Sequence, residues 1–201
     1  MEKALDLGAL RIPMYDGVEA RVQADPEGRV QQIALVMGDN ALQLAVLAAP
    51  RTESVWDEIR GEIRGQLRAE GFASNEIEGP HGTELCTRVR TPDGPLDLRF
   101  VGVSGPRWLV RAIFQGPVAV DATAAPLLQT CLAGLVVDRG REAMPVGESL
   151  PLRLPREVAE RASQQQTEQQ RTSTDSGEPD GEGGSRPPRA SQRRRQSQRR
   201  R

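Results

Sequence analysis

The chain has 201 residues, 37% of them hydrophobic, and a formal net charge of −1. That length holds one ordinary domain with appendages, and no apolar run approaches the roughly 18–20 residues of a membrane-crossing helix. The charge is uneven: residues 163–201 carry nine Arg and five Asp or Glu, net +4, leaving residues 1–162 at −5.

In chain order, Val18, Ala20 and Val22 alternate with Glu19, Arg21 and Gln23, which predicts a half-buried strand. The turn chemistry of Asp25-Pro26-Glu27-Gly28 follows, and then a strand with Ile33, Leu35 and Met37 on one face. Gly38-Asp39-Asn40 turns the chain into a third strand through Leu42, Leu44 and Val46. The period then lengthens. Trp56, Ile59, Ile63 and Leu67 fall on one stripe of a helix, with Thr52 or Ser54 as its cap and Gly71 as its stop. Gly61 and Gly65 lie off that stripe and read either as a solvent face or as a place for another element to pack closely.

Leu85, Thr87 and Val89 alternate with Glu84, Cys86 and Arg88, giving a strand over Thr83–Arg90 that the turn signal Thr91–Pro95 ends. Leu96–Gly116 reads as a hairpin, apolar on both faces and so central in its sheet. A loop centred on Gly105-Pro106 would set Val103 opposite Trp108, Val101 opposite Val110 and Arg99 opposite Ala112. A second helix is expected over Asp121–Ala133, a short strand over Leu135–Asp138, and extended chain through Leu150–Pro155. The expected fold class is therefore α+β. An antiparallel sheet, meander plus hairpins, is packed by two main helices in a single domain over residues 1–155.

Residues 156–170 suggest a frayed helix. From Ser163 onward there is no Leu, Ile, Val, Met or aromatic residue, so residues 171–201 are expected to form a disordered polar tail. Its last nine residues hold six arginines: Arg193, Arg194, Arg195, Arg199, Arg200 and Arg201. Flexible guanidiniums of this kind can track a phosphate backbone, and without interleaved aromatics the contact would ignore sequence.

No constellation for catalysis stands out. His81 is the single histidine and sits in a Pro-His-Gly turn, with no second His or paired Cys to build a zinc site. Cys86 and Cys131 occupy unrelated contexts and read as reduced structural thiols. The phosphate-binding glycine loops, the HExxH pair and the GxSxG elbow are all missing, so neither cofactor nor metal is expected. Arg99 and Arg111 are the charges left over inside the apolar hairpin. Each either meets a carboxylate, reaches solvent, or points into a pocket that holds an anion; an enzyme's pocket here would combine Arg99 or Arg111 with a carboxylate such as Glu84, Asp97 or Asp121.

Several stretches together resemble a known family. They are Leu7–Pro13 (LGALRIP), Asp39–Leu44 (DNALQL), Ala49–Glu53 (APRTE) with Trp56, and Phe100–Trp108 (FVGVSGPRW). They look like the actinobacterial domain-of-unknown-function family numbered 3710, over about Leu5 to Pro155. The resemblance implies a fold but attaches no activity to it. His81 stands where the family pattern has a bulky aromatic. The order of elements also resembles PsbP-like α/β sandwiches, an analogy of fold alone.

The reading that follows is a soluble cytoplasmic protein, a non-catalytic interaction or accessory module that presents a groove or sheet edge to a protein partner. One alternative is an accessory protein that contacts nucleic acid through its Arg-rich tail. Another is a small-molecule-binding domain or enzyme with a pocket at Arg99 or Arg111. No membrane contact is expected.

Overall fold

The computed structural model describes residues 3–25, 29–51 and 54–154. In chain order the elements are β1 (Lys3–Asp6), β2 (Leu10–Met14), β3 (Glu19–Ala24), β4 (Val30–Met37), β5 (Asn40–Ala48), α1 (Trp56–Ala69), β6 (Ser74–Gly79), β7 (Gly82–Thr91), β8 (Gly94–Gly105) and β9 (Trp108–Gln115). Two 3-10 turns (Pro117–Ala119 and Ala122–Ala124), α2 (Pro126–Ala133) and β10 (Val136–Val137) complete them. The fold class is α+β, with two helices and two antiparallel sheets, as expected from the alternating patterns.

The larger sheet has the order β3-β4-β5-β9-β8-β7-β6. It is two meanders laid side by side: β5 pairs with β9, and α1 carries the chain from the inner end of one meander to the far edge of the other. The β8–β9 hairpin is thus central and covered on both faces. Leu44, Val46, Val101, Val110, Ala112 and Phe114 share one face with the small sheet (order β1-β2-β10) and α2, where Leu10, Ile12, Leu128 and Leu132 close the core. The opposite face carries Leu47, Leu85, Phe100 and Leu109 under Trp56 and Leu67 of α1.

The end of α1 follows from its sequence. Gly71 takes φ +84, the Gly71 N–H bonds the Arg68 carbonyl and the Phe72 N–H bonds the Leu67 carbonyl, a Schellman closure with Phe72 packed into the same apolar cluster as Leu67. At its start Val55 is the cap, and Ser54 Oγ instead accepts from the Trp56 N–H at 3.3 Å. Thr52 lies outside the described residues. Gly61 and Gly65 have nothing within 4 Å of where a Cβ would stand, so they belong to the solvent face.

Two expectations are corrected. The hairpin loop centres on Pro106-Arg107, so Gly105 opposes Trp108, Val103 opposes Val110, Val101 opposes Ala112 and Arg99 opposes Phe114. Proline takes the first corner of a two-residue turn and Arg107 the second at φ +67, moving the loop one residue along without changing which side chains share a face. The second helix begins at Pro126 rather than Asp121, because proline holds Ala125 extended at φ −149 and leaves Ala122–Ala124 as a separate 3-10 turn capped by Asp121. Strands β1, β2 and β6 were not foreseen. β6, SNEIEG, is mostly exposed and shows no apolar alternation; it is a strand because β7 supplies its ladder.

Candidate functional site

Register decides the fate of the two hairpin arginines. On the face covered by α2, Arg99 stands opposite Phe114 on one side and Cys86 on the other. Glu84 is two residues from Cys86 and so on the same face. Arg99 Nη1 donates to Glu84 Oε2 at 3.0 Å and Nη2 to the Val118 carbonyl at 3.3 Å, while the guanidinium lies 4.6 Å over the Phe114 ring. Both ions are buried, Glu84 1% and Arg99 8% exposed. Room for the carboxylate comes from Gly79 on β6, where a Cβ would meet Glu84 Oε1 at 2.1 Å. Glu84 Oε1 and Arg99 Nε find no further partner, so the pair is strong in charge but incomplete in hydrogen bonding.

The other two acids considered beside the arginines are held elsewhere. Asp97 takes both ends of a fork from Arg88, at 2.6 and 2.8 Å. Those hydrogen bonds hold its carboxyl below the usual carboxylate range. Asp121 accepts from the Thr123 N–H and hydroxyl, which lowers its pKa as well.

Beyond the first 3-10 turn the α2-side face is left open. A groove of about 420 Å³ runs over Asn75, Ile77, Cys86, the Arg88–Asp97 pair, Ala119 and Val120. Ile77 is 39% and Val120 73% exposed, two of the four large exposed hydrophobics among the described residues. The groove abuts β6, which forms one edge of the sheet. Burial pushes the Cys86 thiol pKa up against the opposing pull of Arg99, so it is not poised as a thiolate.

Arg111 occupies the α1 side of the sheet, opposite Gly102, against which the Trp56 ring of α1 packs. It lines a cavity of about 210 Å³ with Gln32, Gln43, Leu44, Ala45 and Ile113. Its Nε is buried without a hydrogen-bond partner, and it makes no ion pair among the described residues. The structure does not bring Arg99 and Arg111 together; they serve opposite faces. Gln32, Gln43, Asn75 and Val120 were not anticipated, since only the pairing of distant strands assembles them.

His81 lies exposed at the β6–β7 turn, between paired Gly79 and Gly82. Cys131 is fully buried, its thiol donating to the Pro13 carbonyl at 3.3 Å, and burial raises its pKa. Among the described residues no cluster of three or more potential metal ligands forms, and no helix is long and apolar enough to cross a membrane. Arg193, Arg194, Arg195, Arg199, Arg200 and Arg201, and the frayed helix expected over 156–170, lie outside the described residues.

The family model described as "Protein of unknown function (DUF3710)" matches residues 1–161. The chain belongs to this family. No curated protein matches it. Among solved structures, this DUF3710 chain is similar to a crystal structure from Bacteroides thetaiotaomicron VPI-5482 (11% identity, TM-score 0.41), covering 72% of the chain and 52% of that protein. It thus spans about half of that neighbour's length. It is also similar to cyanobacterial PsbP (CyanoP) from Synechocystis sp. PCC 6803, with 10% identity, TM-score 0.40 and coverage of 68% and 92%. A third neighbour is the Saccharomyces cerevisiae Ran-binding protein Mog1p, with 12% identity, TM-score 0.37 and coverage of 68% and 95%.

Proposed function

We propose that the chain is a non-catalytic, cytoplasmic interaction module that receives an extended segment of a protein partner beside β6. The observation that carries this reading is the placement of Ile77 and Val120 in one groove against a sheet edge. An edge strand offers an unpaired row of N–H and C=O groups, and a segment added there gains main-chain hydrogen bonds. Its alternate side chains would fall over Asn75 and Ile77, so an apolar residue at that position fits the groove. Glu84 and Arg99 beneath the groove are engaged with each other, and the Cys86 thiol is held protonated, which supports binding over chemistry.

A second reading keeps the six terminal arginines as a sequence-independent nucleic-acid contact, favoured by their concentration in nine residues. One experiment separates the two. Affinity capture from native lysate with the full chain should recover a stoichiometric protein that persists after nuclease treatment and is lost with Val120→Asp or Ile77→Asp. Recovery unaffected by both substitutions overturns the groove reading; recovery that vanishes with nuclease points to the tail.

A further inference from the structure

We infer that the Arg111 cavity, on the face of the sheet opposite the docking groove, is a binding site for a small organic carboxylate. The backbone register builds it. Arg111 lies between Ala45 on β5 and Gly102 on β8, the two smallest residue types available. On the β8 side the Trp56 ring closes the space: a Cβ on Gly102 would meet that ring at 2.2 Å. On the β5 side Ala45 offers only a methyl group, so the trough opens there, toward Gln43 and Gln32. Gln43 is paired with Ala34 and Ile113 and reaches the same face.

The chemistry of this trough is unbalanced. It holds one guanidinium and two carboxamides, and no acid lines it. A strand position beside an apolar core is a costly place for a charge, and at Arg99 the fold answers that cost with Glu84. At Arg111 nothing in the described chain answers it, and the Nε is already shut off from water with its N–H unmet. A planar carboxylate meets this need. It accepts two parallel N–H bonds from a guanidinium fork, and its single charge matches the single Arg. A phosphate dianion would bring surplus charge into a half-closed site with no second cation. The amides of Gln32 and Gln43 then receive polar groups on the rest of the ligand. At about 210 Å³ the cavity is smaller than drug-sized pockets, which limits the ligand to a compact acid or to the carboxylate end of a peptide.

The test is NMR titration of the full chain, following the Arg111 Nε–H resonance (assigned with Arg111→Lys) and, in wild type and Arg111→Lys alike, the backbone amides of Gln43 and Ala45, with acetate, succinate, inorganic phosphate and sodium chloride at matched ionic strength. A short peptide is added with its C-terminus free or amidated. We expect saturable shifts with the carboxylates and weaker ones with phosphate. Arg111→Lys, which keeps the charge but loses the fork, should bind at least about tenfold more weakly, the worth of one charge-assisted hydrogen bond. Saturation by the free-ended peptide but not the amidated one assigns the site to a peptide carboxylate, and saturation by succinate alone assigns it to a free acid. Shifts that equal those of chloride, or carboxylate affinity unchanged in Arg111→Lys, overturn the inference. The wild-type comparison of carboxylate with chloride stands even if the variant folds poorly. Docking in the β6 groove is read by Val120→Asp, so either proposal can fail without the other.

Discussion

Arg99 and Arg111 lie on the two strands of one hairpin, similarly placed in apolar runs, and the molecule treats them in opposite ways. Arg99 is sealed beneath the α2 layer with a carboxylate, a carbonyl and an aromatic ring. Arg111 stands at the open end of the α1 face with two amides near it and no acid. The difference lies in their neighbours on the adjoining strands. For Arg99 the next strand offers Glu84 on the same face, two residues from the cross-strand partner. For Arg111 the adjoining positions are Ala45 and Gly102. An arginine in a strand is therefore structural or receptive according to residues far away in sequence.

The largest effects should come from breaking the sealed pair. Glu84→Leu strands the buried Arg99 charge and should lower stability by about 3–5 kcal/mol, while Glu84→Leu with Arg99→Met should recover most of that loss. Arg111→Met, at the open end, should stay within about 0.5 kcal/mol of wild type. Urea unfolding of the variants reads all three. A cost for Arg111→Met equal to that of Glu84→Leu would erase the contrast.

A middling effect should come from the wall that closes the β8 side of the Arg111 trough. Gly102→Ala drives a methyl into the Trp56 ring, which is fixed by its Nε1–H bond to the Thr83 carbonyl at 2.7 Å. Such overpacking costs about 1–3 kcal/mol. Gly65→Ala, on the open face of α1, should stabilise by up to about 1 kcal/mol. Thermal unfolding with Trp fluorescence compares the two; a harmless Gly102→Ala would mean that the ring does not close the β8 side of the Arg111 trough.

The periodic parts of this fold were legible. Strands β3, β4, β5 and β7, the central hairpin and α1 follow from alternation and from the Trp56–Leu67 stripe, because burial of one face imposes those periods. The short strand expected over Leu135–Asp138 is present as β10, but β1, β2 and β6 were not legible, since β2 carries Pro13 and β6 has almost no apolar content; their pairing partners make them strands. Asp121–Ala133 looked continuous by composition, and one proline at 126 divided it. Of the candidate sites, the two arginines could be singled out as charges in apolar runs. Which of them had a partner could not, because a one-position change of register would bring a different acid within reach. The glutamines of the Arg111 cavity carry no periodic signal, and only the β4–β5–β9 ladder gathers them.

The smallest effect concerns the groove floor, where the Arg88–Asp97 pair lies half in solvent. Arg88 hydrogen bonds hold the Asp97 carboxyl below its ordinary range. A depressed folded pKa means a contribution fully present above the unfolded value of about 3.9, and lost as pH falls through the lower folded value. The melting temperatures of wild type and Asp97→Asn should therefore converge below about pH 4 and differ by a constant amount above it. The same comparison with Arg111→Met should show no such convergence, because no carboxylate lines its cavity. If the gap between wild type and Asp97→Asn held constant down to acid pH, the pair would be a crossing of two solvated side chains. The groove floor would then owe its shape to Cys86 and Ala119, and the α2-side face would be organised by the buried Glu84–Arg99 pair alone.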